Sequence, residues 1–169
     1  MRAGVALGSN LGDRLEKLRK ARQKILELPG ATPPALSSSI YETEPVGCEE
    51  GAGPFLNAVI EIGYEGAATE LLRELRNIEA ALGRPAEHAK NQSRPLDLDL
   101  LYFDHEKIDR PGLQVPHPRL PGRRFVLEPL AEIRPDLILP EQTETVQEML
   151  ASLPDSSTVS RLTKDWENP

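Results

Sequence analysis

The sequence predicts an α+β domain: a ferredoxin-like β-α-β-β-α-β sheet with both long helices on one face and additional short helices near the C-terminus. Three observations lead there. Apolar residues recur at a period of two over 2–7, 35–41, 55–62 and 94–103, as in half-buried strands. They recur at a helical period over 14–28 and 67–82. The two kinds of segment follow one another as strand, helix, strand, strand, helix, strand, the order of a split βαβ unit.

In the first strand Val5 and Leu7 share one face, and Gly4, Ala6 and Gly8 the other, where small residues let a ligand or another backbone come close. Gly8-Ser9-Asn10-Leu11-Gly12-Asp13 turns into a helix with Asn10 or Asp13 as N-cap. Leu15, Leu18, Ala21, Ile25 and Leu28 make its apolar stripe, and Pro29-Gly30 stops it. Ala35 to Tyr41 is a second strand, weakened in pattern by Ser37-Ser38-Ser39. Residues 43–54 carry Pro45, Gly47, Gly51, Gly53 and Pro54 and form a long loop.

Phe55 to Ile62 places Leu56, Ala58, Ile60 and Ile62 toward the core and Phe55, Asn57 and Val59 on the opposite face. An aromatic ring beside an amide can stack on a flat heterocycle and hydrogen-bond its edge, although such pairs also serve ordinary packing. Ala67 to Leu82 is the second helix, apolar at Ala68, Leu71, Leu72, Leu75, Ile78 and Leu82, bordered by Glu79 and closed by Gly83. A polar loop, 84–93, holds Arg84, His88 and Lys90.

The strand from Arg94 to Phe103 turns Leu96, Leu98 and Leu100 to one face and Asp97 and Asp99 to the other. The two acids lie roughly 7 Å apart along it. Carboxylates that close, beside apolar walls, call for a proton, a partner or a cation, and hard oxygen donors suit Mg²⁺. A strand that merely shows acids to water has the same spacing. Pro111 to Pro118 reads as extended, with His117 between two prolines, followed by Arg119, Arg123 and Arg124. Short helices are expected at Phe125–Leu130 and Thr143–Leu150. Residues 1–160 form a single domain on this reading, and 161–169 a polar C-terminal tail whose one large aromatic is Trp166.

A net charge of -7 argues against a general nucleic-acid or membrane-surface binder. The single Cys48 rules out a disulfide framework or cysteine metal cluster. No stretch reaches the ~20 apolar residues of a membrane span, and no signal-peptide pattern opens the chain, so a cytoplasmic location is expected. There is no GxxxxGK[ST] loop, zinc-type His/Cys spacing or GxSxG. Paired acids with Arg84, Lys90, Arg94, Arg119, Arg123 and Arg124 around one open sheet face point to nucleotide-dependent phosphoryl transfer. A palm-like nucleotidyl transferase, releasing pyrophosphate, and a non-catalytic metabolite-binding module are the other readings.

Seven motifs, in order, resemble 6-hydroxymethyl-7,8-dihydropterin pyrophosphokinases. They are Ala6-Leu7-Gly8-Ser9-Asn10-Leu11-Gly12, Tyr41-Glu42-Thr43-Glu44-Pro45-Val46-Gly47, Phe55-Leu56-Asn57-Ala58 and Glu79 through Gly83-Arg84. Arg94-Pro95-Leu96-Asp97-Leu98-Asp99-Leu100-Leu101, Val115-Pro116-His117-Pro118-Arg119-Leu120 and Arg123-Arg124-Phe125-Val126-Leu127-Glu128-Pro129-Leu130 complete them. The resemblance implies transfer of pyrophosphate from ATP to the dihydropterin, with release of AMP, in folate biosynthesis. It implies two Mg²⁺ ions on Asp97 and Asp99, and a catalytic set of Arg84, Arg94, Asp97 and Asp99. ATP would be bound by Glu79, Arg84, Lys90, Arg94, His117 and Arg123. The pterin would be bound by Thr43, Pro45, Val46, Phe55, Asn57 and Phe125. The expected enzyme is a monomer that meets neither nucleic acid nor membrane. It departs from the family's commonest pattern at Asn91-Gln92-Ser93, where Trp-Gly-Pro is usual, and at Pro85-Ala86. The loops 43–54 and 84–93 are expected to order around ATP.

Overall fold

The central strand is β1 (Arg2–Ser9), antiparallel to β4 (Phe55–Tyr64) on one side and β5 (Asp97–Phe103) on the other. The structure is a computed structural model and describes residues 1–44, 51, 53–83, 95–154 and 157–167. β3 (Ile40–Thr43) adds to β4, and β8 (Val159–Thr163) to β3, giving the order β5-β1-β4-β3-β8, with β2 (Ala31–Ser37) also on β4. The α+β class holds, and the ferredoxin-like description fits loosely, because further pieces extend its sheet.

Helices α1 (Arg14–Leu26) and α2 (Ala68–Ala81) cover one face. Their Leu18, Ala21, Ile25, Leu71, Leu75 and Ile78 pack on Val5, Leu7, Leu56, Ile60, Leu98 and Leu100, the alternate residues of the strands. Each such leucine or isoleucine contributes about 1.5–3 kcal/mol on burial. Asp13 is the N-cap of α1, its Oδ1 accepting from the Glu16 N–H at 3.1 Å. Gly83 follows α2 at φ +97, a conformation that favours glycine.

On the opposite face, α3 (Arg124–Ile133) and α4 (Val146–Ser152) cover one part of the sheet through Val126, Leu127, Leu130, Val146 and Met149. Thr145 and Glu148 form a capping box that starts α4. Among the described residues, the rest of that face is open. Beyond Val59 on β4, away from the open part, stands Glu61, its side chain 2% exposed. It accepts from the Tyr102 hydroxyl at 2.5 Å and Arg2 Nε at 2.9 Å, and pairs with Arg134 at the end of α3.

Four expectations change. The second strand is two, β2 and β3, parted at Ser38-Ser39, where the Ser38 hydroxyl accepts the Val59 N–H at 3.0 Å in place of a backbone carbonyl. β5 carries a bulge: Val5 pairs with Leu100 but Gly4 with Tyr102, so Leu101 and Tyr102 both turn toward α3. The segment read as extended is a hairpin of β6 (Ile108–Arg110) and β7 (Leu113–Val115), turning through Gly112 at φ +82. Part of the segment expected as a polar tail carries structure. β8 includes Arg161, Leu162 and Thr163, and Trp166 is 9% exposed with its indole N–H donating to the Ser38 carbonyl at 2.8 Å. Among the described residues, no helix is long and apolar enough to cross a membrane.

Candidate active site

Two cross-strand rows make the floor of the open face. Asn57, Gly8 and Asp97 lie abreast on β4, β1 and β5, and Val59, Ala6 and Asp99 form the next row. At about 4.8 Å per strand, the amide and the first carboxylate stand about 10 Å apart across a dip left by Gly8. A Cβ at Gly8 would lie 3.1 Å from Asn57 Oδ1. The dip opens into a cavity of about 990 Å³.

Over β4 the cavity is lined by Thr43, Phe55, Asn57 and Phe125. The Asn57 Nδ2 donates to Thr43 Oγ1 at 2.6 Å, a buried bond that leaves Oδ1 as the acceptor toward the floor. Phe125 enters from the first turn of α3. Arg123, just before that helix, has its guanidinium 5.4 Å from the Phe125 ring centroid, so a cation joins the aromatic end to the acidic one.

Beyond Asp97 and Asp99 the cavity passes over the edge of β5 to Leu72, Arg76 and Glu79 of α2 and to the β6–β7 hairpin. Glu79 is 7% exposed, and its Oε1 accepts the Leu98 N–H at 2.7 Å, fixing the strand between the two acids. His117 takes the Arg119 N–H on Nδ1 at 3.2 Å, and its own backbone N–H donates to the Leu101 carbonyl at 2.7 Å. Burial, then the charges of Arg123 and Arg119, push its pKa down, against the pull of Asp97. A neutral imidazole accepting on Nδ1 offers an Nε2–H donor.

Thr43, Phe55, Asn57, Glu79, Asp97, Asp99, His117, Arg123 and Phe125 thus line one cavity. Pro45, Val46, Arg84, Lys90 and Arg94 lie outside the described residues, as do most of the two loops and the Asn91-Gln92-Ser93 departure. Arg124 turns elsewhere, 3.6 Å from Glu128 and bonded to the Leu153 carbonyl. The site also includes Asp109, Arg110 and Gln114, which were not singled out in the sequence. Their signal was Pro111-Gly112 between Ile108-Asp109-Arg110 and Leu113-Gln114-Val115, a turn dipeptide that makes a hairpin of the segment.

Among the described residues no group of three or more His, Cys, Asp or Glu could hold a metal ion by itself. Asp97 and Asp99 are a two-carboxylate donor set, which suits an ion that completes its shell with substrate oxygens and water.

The family of 7,8-dihydro-6-hydroxymethylpterin-pyrophosphokinases (HPPK) matches residues 4–135. This chain belongs to that family. As an HPPK it is 47% identical over 131 residues to the 2-amino-4-hydroxy-6-hydroxymethyldihydropteridine pyrophosphokinase of Bacillus subtilis, covering 78% of this chain and 77% of the relative. The Methylorubrum extorquens protein of the same name is 39% identical over 95% of this chain and 98% of its own length. In fold, the HPPK resembles a crystallised HPPK-DHPS in complex with substrates, with a TM-score of 0.72 at 13% identity. That match covers 89% of this chain and 43% of the larger one. The same limits hold for wild-type Plasmodium falciparum HPPK-DHPS, TM-score 0.67, of which this HPPK spans 44%.

Proposed function

We propose that the two substrates of this pyrophosphokinase meet in the cavity, the dihydropterin over β4 and ATP over the edge of β5. The enzyme acts in folate biosynthesis, and the family reaction moves the β,γ-pyrophosphoryl group of ATP to the pterin hydroxymethyl oxygen. The bond from the α,β-bridging oxygen to the β-phosphorus breaks, the hydroxyl gives up its proton, and AMP leaves. The observation that carries this reading is the Asn57–Gly8–Asp97 row. It sets a ring-reading amide and a metal-holding acid on one floor at the span of a small heterocycle and its side arm.

At the pterin end Phe55 and Phe125 stack on the ring, and Asn57 accepts a ring N–H on the oxygen that its bond to Thr43 leaves exposed to the site. Pro45 and Val46 supply backbone contacts, by likeness to the family. At the phosphate end Arg123 and neutral His117 donate to triphosphate oxygens, with Arg84, Lys90 and Arg94 as further cations. Lys90 offers a point charge where arginine would offer a fork. Glu79 serves the ATP end through β5, by holding Leu98 and hence both acids in place. Asp97 and Asp99 bind Mg²⁺, two ions by family likeness, which when bound neutralises triphosphate charge. The protein's own part is chiefly to align the hydroxyl with the β-phosphorus and to keep water out.

The enzyme is taken to be a monomer with a single pyrophosphokinase domain, working in the cytoplasm where ATP and Mg²⁺ are plentiful. The test is a product assay with ATP, Mg²⁺ and 6-hydroxymethyl-7,8-dihydropterin. AMP formed only when both pterin and metal are present supports the reading. ADP, or pyrophosphate set free, overturns it.

A further inference from the structure

We propose that Glu132 is a positioning residue for the pterin end of the site, acting through Tyr41. It is on α3, seven residues after Phe125, so the two side chains share a helix face about 10 Å apart. Its carboxylate accepts three hydrogen bonds from the start of β3. The Ser39 N–H donates to Oε2 at 2.9 Å, the Ser39 hydroxyl to Oε1 at 2.7 Å, and the Tyr41 hydroxyl to Oε2 at 2.6 Å. The donors are buried, with Ser39 2% and Tyr41 5% exposed, whereas Glu132 itself borders solvent. Arg161 of β8 reaches the same Tyr41 hydroxyl.

Tyr41 is the direct cross-strand partner of Asn57, and Thr43, two residues on, is the acceptor of the Asn57 amide. Cross-strand partners stand side by side on one face of a sheet. Glu132 therefore ties the helix that carries Phe125 to the strand that flanks Asn57. The carboxylate thereby helps to hold the two groups on either side of the pterin at a fixed separation. The three serines that blur the second strand's pattern lie at this joint: the Ser37 hydroxyl accepts from Arg22 Nε at 2.9 Å, and Ser38 receives the Trp166 indole N–H. The residue Trp166, beyond the C-terminal strand, thereby enters the same brace.

This rests on the pterin reading of the Phe55–Asn57–Phe125 end, and the experiment separates the two. Steady-state kinetics of Glu132→Ala, Tyr41→Phe, the double variant and Phe125→Ala are compared with each substrate varied in turn. Alanine at an exposed helical position is a strong helix former, so Glu132→Ala is expected to fold. Its KM for the dihydropterin should rise roughly tenfold while that for ATP changes less than about twofold. Tyr41→Phe should raise the pterin KM by roughly threefold, and the double variant should be no worse than Glu132→Ala, because both remove the same link. Equal rises for both substrates, or an unchanged pterin KM in folded Glu132→Ala, overturn the proposal. Were Glu132→Ala to misfold, Tyr41→Phe decides by the same criterion. An unchanged pterin KM in Phe125→Ala would instead sink the pterin reading itself.

Discussion

Gly4→Ala should cost this enzyme much of its stability. Gly4 shares a face with Ala6 and Gly8, but the space above it is taken. A Cβ there would lie 2.2, 2.5 and 2.8 Å from three atoms of the Tyr102 ring, which is 2% exposed. Ordinary carbon contacts are about 3.5–4.0 Å, so the ring must move by more than ~1 Å in a packed interior. That shift takes the Tyr102 hydroxyl off Glu61, to which it donates at 2.5 Å. A hydrogen bond to a charged group is worth about 1.5–3 kcal/mol, and overpacking costs about 1–3 kcal/mol. Together they give about 4 kcal/mol. With a urea m-value of about 2 kcal/mol/M, the unfolding midpoint should fall by about 2 M. Tyr102→Phe, which loses the hydroxyl alone, should show about half that loss. A midpoint within about 0.5 M of the parent would refute the reasoning, since it would mean the ring moves aside without cost.

Three further outcomes are expected. Asp97→Asn and Asp99→Asn should each lower turnover at least about a hundredfold while melting like the parent, and near-normal turnover in either would remove that residue from the proposed metal site. His117 should titrate below its ordinary 6.5 in the free enzyme, because of burial first and Arg123 and Arg119 next. The unfolded chain then takes up a proton near pH 6.5 that the folded chain refuses, so this histidine lowers stability as pH falls through 6.5 and contributes nothing above it. An NMR midpoint at or above 6.5 would contradict this. Trp166→Ala should cost about 3–5 kcal/mol and lower Tm by about 10 °C. A Tm within about 2 °C of the parent would return residues after 161 to the status of a tail.

Much of this architecture could be read from periodicity, and its failures share a cause. Strands with one face on α1 and α2 alternate cleanly, as Leu56, Ala58, Ile60 and Ile62 do. β8 does not, since Ser160, Arg161 and Leu162 are all exposed and a short edge strand leaves no period-two signal. Leu100-Leu101-Tyr102 conceals a bulge, because an apolar run reads the same with or without an extra residue in the ladder. Ser37-Ser38-Ser39 reads as weak strand because its hydroxyls bond across elements, which periodicity does not register. Within the site, Asp97 and Asp99 were legible because the alternation that buries Leu96, Leu98 and Leu100 forces them onto the other face. Asp109, Arg110 and Gln114 were not, since only the closing of a hairpin brings them there.

The placement of α3 follows from where its polar links fall. Its apolar face, Val126, Leu127 and Leu130, could slide on Val59 and Leu101 with little change in buried area. The hydrophobic term is non-directional and does not choose among such positions. Hydrogen bonds do choose. Near the end of the helix, Arg134 reaches down to buried Glu61, while Glu132 reaches across to Ser39 and Tyr41. The two links attach to different strands, β4 and the start of β3, so satisfying both fixes rotation as well as translation. Tyr102 meets the same Glu61, which brings β5, and with it the strand of Asp97 and Asp99, into the arrangement. Phe125 and Arg123 at the other end of the helix are therefore set by contacts two or more turns away. On the proposed function, where the protein's part is to align an oxygen with a phosphorus, that fixed wall is what this α+β fold contributes.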